Sequence, residues 1–184
     1  MPLQNLYGGA MCIDIPSGMV DISNFREVPD NQEVFASATT DQSVIVEILE
    51  SVSQQKHEAT KFHFEQLAET NASGRTHILS IQDIQVEGIP EAYMLVGQQA
   101  VAKFNEGKES ENQILIVLAL LRVPAHSADI LVSLNAPLKI SHLSSSSNNS
   151  GIEAAELAVD SQQAVNEFLQ MVRTFRINDY TLFA

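Results

Sequence analysis

Cysteine is almost missing from this 184-residue chain: Cys12 stands alone, which excludes an internal disulfide, a cysteine zinc cluster and a CxxC redox pair. Long apolar runs are missing as well. The longest, Ile114 to Leu121, spans 8 residues, against roughly 20 for a membrane helix, so no spanning helix is predicted. The opening residues Met1-Pro2-Leu3-Gln4-Asn5 offer neither a basic n-region nor an apolar h-region. No secretory signal is expected, and the expected location is nucleus and cytoplasm. The sequons Asn71-Ala72-Ser73 and Asn148-Asn149-Ser150 then read as chance.

Positive charge is scarce. Ten Lys and Arg face 23 Asp and Glu, for a net charge of −13. In the first 50 residues Arg26 is the only base, against Asp14, Asp21, Glu27, Asp30, Glu33, Asp41, Glu47 and Glu50, so −7 of the total falls there. Such a surface repels phosphate backbones and anionic lipid, and attracts basic protein surfaces over a Debye length of roughly 10 Å. No nucleic acid and no membrane is expected as a partner; a basic protein is.

Several catalytic patterns begin and fail. His57-Glu58 opens like a zinc-protease motif, but Lys61 stands where the second histidine is needed. Gly97 precedes Lys103 as in a phosphate loop, yet Ala102 and Phe104 replace the second glycine and the magnesium-binding hydroxyl. G-x-S-x-G and G-x-G-x-x-G do not occur. His57, His63, His77, His126 and His142 have no histidine partner at helical spacing, so each reads as structural. Asp30 and Glu33 could pair for acid–base work, but no nucleophile or oxyanion donor accompanies them. No cofactor, metal or enzymatic chemistry is expected.

Periodicity predicts strands over 10–15, 33–36, 43–50, 76–85, 91–104, 113–123 and 128–134, and the second and third are close enough for a hairpin. The unbroken Ile114–Leu121 run predicts a central strand covered on both faces. A helix is predicted over 56–69, with His57, Thr60, Phe64, Leu67 and Ala68 on one face. Another begins at Asp160, a capping residue, and carries Val165, Phe168, Leu169, Val172 and Phe175. The Ser- and Asn-rich stretch 141–151 reads as a flexible loop. Short connections favour an antiparallel sheet. The predicted architecture is one α+β domain over 1–184, an antiparallel β-sheet of about six to seven strands flanked by α-helices on both faces.

Three segments resemble a known family. Leu6-Tyr7-Gly8-Gly9-Ala10 runs into a strand; Asp21-Ile22-Ser23-Asn24-Phe25-Arg26-Glu27-Val28-Pro29-Asp30-Asn31-Gln32-Glu33-Val34-Phe35 follows Pro16-Ser17-Gly18; Thr181-Leu182-Phe183-Ala184 closes the chain. Together they are similar to the Ran guanine-nucleotide release factor family. The resemblance implies a fold shared with the PsbP proteins of photosynthesis. It also implies binding to the GTPase Ran, release of its guanine nucleotide and a role in nuclear import. A Ran-binding adaptor without release activity is the alternative, and a monomer is expected.

The residues themselves point to a docking face made of Asp21, Arg26, Glu27, Asp30, Asn31, Glu33, Glu47 and Glu50, with Pro29-Asp30-Asn31 as a tight turn. Its carboxylates are expected to be exposed. Phe25 and Val28, in the same stretch, read as plugs into the core.

Overall fold

A computed structural model describes residues 1–101, 112–139 and 160–183. The strands in chain order are β1 Leu3–Leu6, β2 Met11–Asp14, β3 Met19–Asp21, β4 Gln32–Ser37, β5 Ser43–Glu50, β6 Arg75–Asp83, β7 Glu91–Val101, β8 Asn112–Val123, β9 Ala128–Lys139 and β10 Arg176–Ile177. The helices are α1 Lys56–Thr70 and α2 Ser161–Arg173. Seven strands form one antiparallel sheet in the order β3-β4-β5-β9-β8-β7-β6, and β1-β2-β10 form a separate small sheet. The predicted α+β class and antiparallel sheet match this architecture.

Strand β8 is central, as its composition demands. Leu115, Val117, Ala119 and Leu121 enter the core cluster on one face; Ile116, Leu118 and Leu120 enter the cluster on the other. Side chains alternate across a strand, so a run apolar at every position needs a cover on both sides. Helix α1 supplies one cover through Ala59 and Phe64. The other face is closed by α2, through Ala164, Phe168, Met171 and Val172, together with the small sheet through Leu6, Met11 and Ile13. That small sheet was not foreseen, because β1 and β10 are only 4 and 2 residues long. Such pieces carry too few positions for a period to show. The predicted loop at 141–151 lies outside the described residues.

Helix α2 starts where its cap predicted: Asp160 Oδ1 accepts from the amides of Gln162 at 3.0 Å and Gln163 at 3.1 Å. Its buried stripe is centred on Ala164, Phe168, Met171 and Val172, leaving Val165 and Leu169 half-buried at the margin. On α1 the buried set is Ala59, Thr60, His63, Phe64 and Ala68, so the face is rotated away from His57 and Leu67. Two close contacts explain the rotation. Phe64 lies against β7 at Gly97, where an added Cβ would stand 2.6 Å from the ring. His63 reaches a buried carboxylate.

That carboxylate is Asp129, which has no solvent exposure. It faces Arg122 across the β8–β9 ladder, and Arg122 Nε donates to Oδ1 at 2.9 Å. Ser51 Oγ donates to Oδ1 at 3.1 Å, the Val52 amide to Oδ2 at 3.2 Å, and His63 Nε2 to Oδ2 at 3.0 Å. The remaining Arg122 nitrogens donate to the carbonyls of Gln54 and Val52 at 2.8 and 2.7 Å. Burial alone would raise the Asp129 pKa, but the bonds from His63, Arg122 and Val52 outweigh it and hold the carboxyl below its usual range.

Two tests follow from this packing. Asp129→Asn leaves the buried Arg122 charge uncompensated and is expected to cost on the order of 3 kcal/mol in urea unfolding at neutral pH. A lowered native pKa contributes stability above the ordinary carboxylate value of about 3.9 and loses it as pH falls through the native value. The gap between wild type and variant should therefore close in acid. Gly97→Ala drives a methyl into the Phe64 ring and is expected to cost about 1–3 kcal/mol; Phe64→Leu in the same background should recover part of that loss.

Candidate docking surface

The connection between β3 and β4 is a built structure. Asp21 Oδ1 accepts from the Ser23 amide at 2.8 Å and the Ser23 hydroxyl at 2.7 Å, capping a single helical turn at Ile22–Asn24. The amides of Phe25 and Arg26 both donate to the Ile22 carbonyl, at 2.9 and 3.1 Å. The Gln32 amide then closes the Pro29-Asp30-Asn31 turn on the Pro29 carbonyl at 2.9 Å, so the predicted turn is present. Arg26, Glu27, Asp30 and Asn31 are exposed along this connection, and Glu50 is exposed at the end of β5.

The remaining predicted carboxylates are engaged. Asp21 is the cap just described. Glu47 Oε1 accepts from Gln32 Nε2 at 2.8 Å and Asn31 Nδ2 at 3.3 Å. Glu47 and Gln32 are partners in the ladder, so they share a face, and Glu47 borders a groove of about 400 Å³ beneath α1, walled by Ile45, Leu49, Phe62 and Leu67. Glu33, one position along, points to the opposite face. The eight predicted residues therefore do not converge on a single face.

Glu33 also corrects the expectation of a free carboxylate. It is half-buried, and its Oε1 accepts the Tyr7 amide at 2.7 Å. That amide has no strand partner because Tyr7, Gly8 and Gly9 all have positive φ, at 49°, 67° and 96°. Glycine tolerates this region and tyrosine resists it, so Gly8-Gly9 permits the bend and Glu33 holds Tyr7 in it. The Tyr7 hydroxyl lies 2.9 Å from the carbonyls of both Asn31 and Val46, tying the bend to the base of the Pro29 turn. Burial raises the Tyr7 pKa far above the ordinary tyrosine value, and the Glu33 and Glu47 charges raise it further.

Phe25 is the second correction. It is no core plug: it stands 76 % exposed, while Val28 is half-buried. Hydrophobicity alone could not tell which of the two would turn inward.

The lock at Tyr7 is testable. Tyr7→Phe removes a donor shared by the Asn31 and Val46 carbonyls and is expected to cost about 1–2 kcal/mol. A phenol with a raised native pKa contributes stability in full below the unfolded value of about 10 and loses it as pH climbs above that. Wild-type melting temperature should fall through this alkaline range more steeply than that of Tyr7→Phe; parallel curves would show that Tyr7 is not held neutral.

Comparison with known proteins adds a further finding. The family model described as Ran-interacting Mog1 protein matches residues 4–137. The Ran guanine nucleotide release factor of Danio rerio is 38% identical over 176 residues, covering 91% of this chain and 94% of its own. The nuclear import protein MOG1 of Saccharomyces cerevisiae is 31% identical over 192 residues, covering 97% and 83%. The crystal structure of the Saccharomyces cerevisiae Ran-binding protein Mog1p superposes with a TM-score of 0.74 at 28% identity, over 100% of this chain and 98% of that one.

Proposed function

The chain belongs to the Ran-interacting Mog1 family, and from that premise we propose that it binds Ran, promotes release of Ran's guanine nucleotide and supports nuclear protein import. It acts through binding, without a chemical step of its own, in the nucleus and cytoplasm. The observation that carries the docking site is the connection from Asp21 to Asn31. It is fixed internally at both ends, yet it presents Arg26, Glu27 and Asp30 to solvent.

The mechanism is thermodynamic linkage. A protein that binds nucleotide-free Ran more tightly than loaded Ran must weaken nucleotide affinity by the same factor, at 1.4 kcal/mol per tenfold. Exposed carboxylates supply such a bias when they pair with basic groups that otherwise hold phosphate. Asp30 and Glu27 are free to do this. Glu33, Glu47 and Asp21 act one step back, by holding the turn and the Tyr7 bend in shape.

The deciding experiment measures the off-rate of labelled GDP and GTP from Ran with and without the protein. Faster release is expected; complex formation with an unchanged off-rate would mark a non-releasing adaptor and overturn the release step. Asp30→Lys is expected to slow association and weaken the complex by about 2 kcal/mol, and to flatten its salt dependence. Its melting temperature should hold, because exposed carboxylates contribute little to stability. Glu33→Gln keeps an acceptor for the Tyr7 amide and should retain both fold and release. A Glu33→Gln variant that folds but no longer releases nucleotide would move the active carboxylate to Glu33.

A further inference from the structure

We infer that Phe25 is the apolar anchor of the docking surface and enters an apolar pocket with a basic rim on the partner GTPase. This rests on the Ran reading above and adds to it the residue that sets how long the complex lasts.

Exposure is the first ground. At 76 %, Phe25 is the most exposed large hydrophobic residue among those described. A ring left in water brings apolar area that an interface can still remove from solvent. Phe25 lies in the chain stretch with the largest acidic excess, whose electrostatics already select a basic partner.

Rigidity is the second ground. The Phe25 amide and the next amide share the Ile22 carbonyl, the turn is capped by Asp21, and Asn24 Nδ2 reaches the Asp21 carbonyl at 3.4 Å. On the far side the Gln32 amide closes the Pro29-Asp30-Asn31 turn on the Pro29 carbonyl at 2.9 Å. The backbone beneath the ring is thus ordered before any partner arrives, and a phenyl side chain has only two torsions to fix. Binding through such a group loses little conformational entropy.

The surroundings complete the case. Arg26 and Glu27 follow directly, and Asp30 is exposed on the next turn. An exposed aromatic residue whose chain neighbours are exposed charges suits an interface hot spot, where the ring fills a dry pocket and polar groups at the rim exclude water. With acidic groups dominating this rim, the complementary pocket is edged by lysine or arginine. A lone Phe does not drive self-association, since a single exposed apolar side chain makes no contiguous patch.

Kinetics separate this anchor from electrostatic steering. Stopped-flow association and dissociation with nucleotide-free Ran would be measured for wild type, Phe25→Ala, Phe25→Trp and Asp30→Lys at several salt concentrations. Phe25→Ala is expected to dissociate about tenfold faster, equivalent to about 1.4 kcal/mol. Its association rate and salt slope should stay at wild-type values, because anchors act on lifetime and charges on encounter. Phe25→Trp should remain near wild type. A Phe25→Ala variant that dissociates at the wild-type rate overturns the inference, as does one whose melting temperature drops by several degrees, since that would make Phe25 a packing residue. If Phe25→Ala dissociates at the wild-type rate while wild type still binds Ran and speeds nucleotide release, only the anchor falls. If wild type does not bind Ran at all, the functional reading falls and takes the anchor with it.

Discussion

Asp129 is the constraint on which the arrangement of both layers depends. A carboxylate without solvent contact is costly unless every lone pair is answered, and here four donors answer it: Arg122, His63, Ser51 and the Val52 amide. Those donors come from β8, from α1 and from the segment between β5 and α1. Arg122 is satisfied in turn by two carbonyls of that same segment. One buried charge therefore fixes three things together: the exit of the chain from β5, the docking of α1, and the β8–β9 register. An apolar core of the same volume would tolerate a helix that slid or turned by a residue. A half-satisfied polar cluster would not.

The docking surface inherits its precision from that centre through β5. With β5 set against β9, Ile48 is in place to donate to the Asn31 carbonyl, and Glu47 is in place for the side chains of Asn31 and Gln32. Tyr7 closes the arrangement from the other face of the sheet. Its bend is held at one side by Glu33 and at the other by the end of the chain: Asn178 and Asp179 donate their amides to the Ala10 carbonyl, and Asn178 Nδ2 donates to Gly9. A surface turn near the N-terminus is thus supported through a contact that spans 169 positions of the chain.

This explains what was legible in the sequence and what was not. The buried strand, the β4–β5 hairpin and the Asp160 cap each depend on patterns within a dozen residues, and each could be read. Gly97 looked like a failed phosphate loop because its reason for being glycine, the Phe64 ring, lies on another element. The Asp129 cluster joins residues 51, 52, 63, 122 and 129, and no local period records that. Its only signal was Arg122 at the end of an apolar run, a charge that needed a partner. Within the candidate site, charge counting found the stretch, but it gave equal weight to carboxylates that face solvent and carboxylates that hold the backbone. Glu33 and Asp30 are three residues apart and do different work, because the ladder turns one inward to Tyr7 and the turn leaves the other outside.

The same division bears on how binding becomes nucleotide release. Coupling between two ligands is limited by the difference in binding energy to the two states of their common partner. Energy spent on ordering a flexible loop would be spent equally against loaded and empty Ran, and would contribute nothing to that difference. A connection already ordered by Asp21, Ile22, Asn31 and Tyr7 avoids this loss. That strengthens binding to both states alike and leaves the difference between them to contacts that respond to the nucleotide. In the proposed complex the apolar ring at Phe25 meets its pocket whatever the phosphate site holds, so by itself it only lengthens the encounter. In the docking proposed above the exposed carboxylates discriminate, because a basic group freed from phosphate can pair with them and one still holding phosphate cannot. On that proposal one rigid turn carries both kinds of contact: an anchor that keeps the partner in place, and charges that favour its empty form.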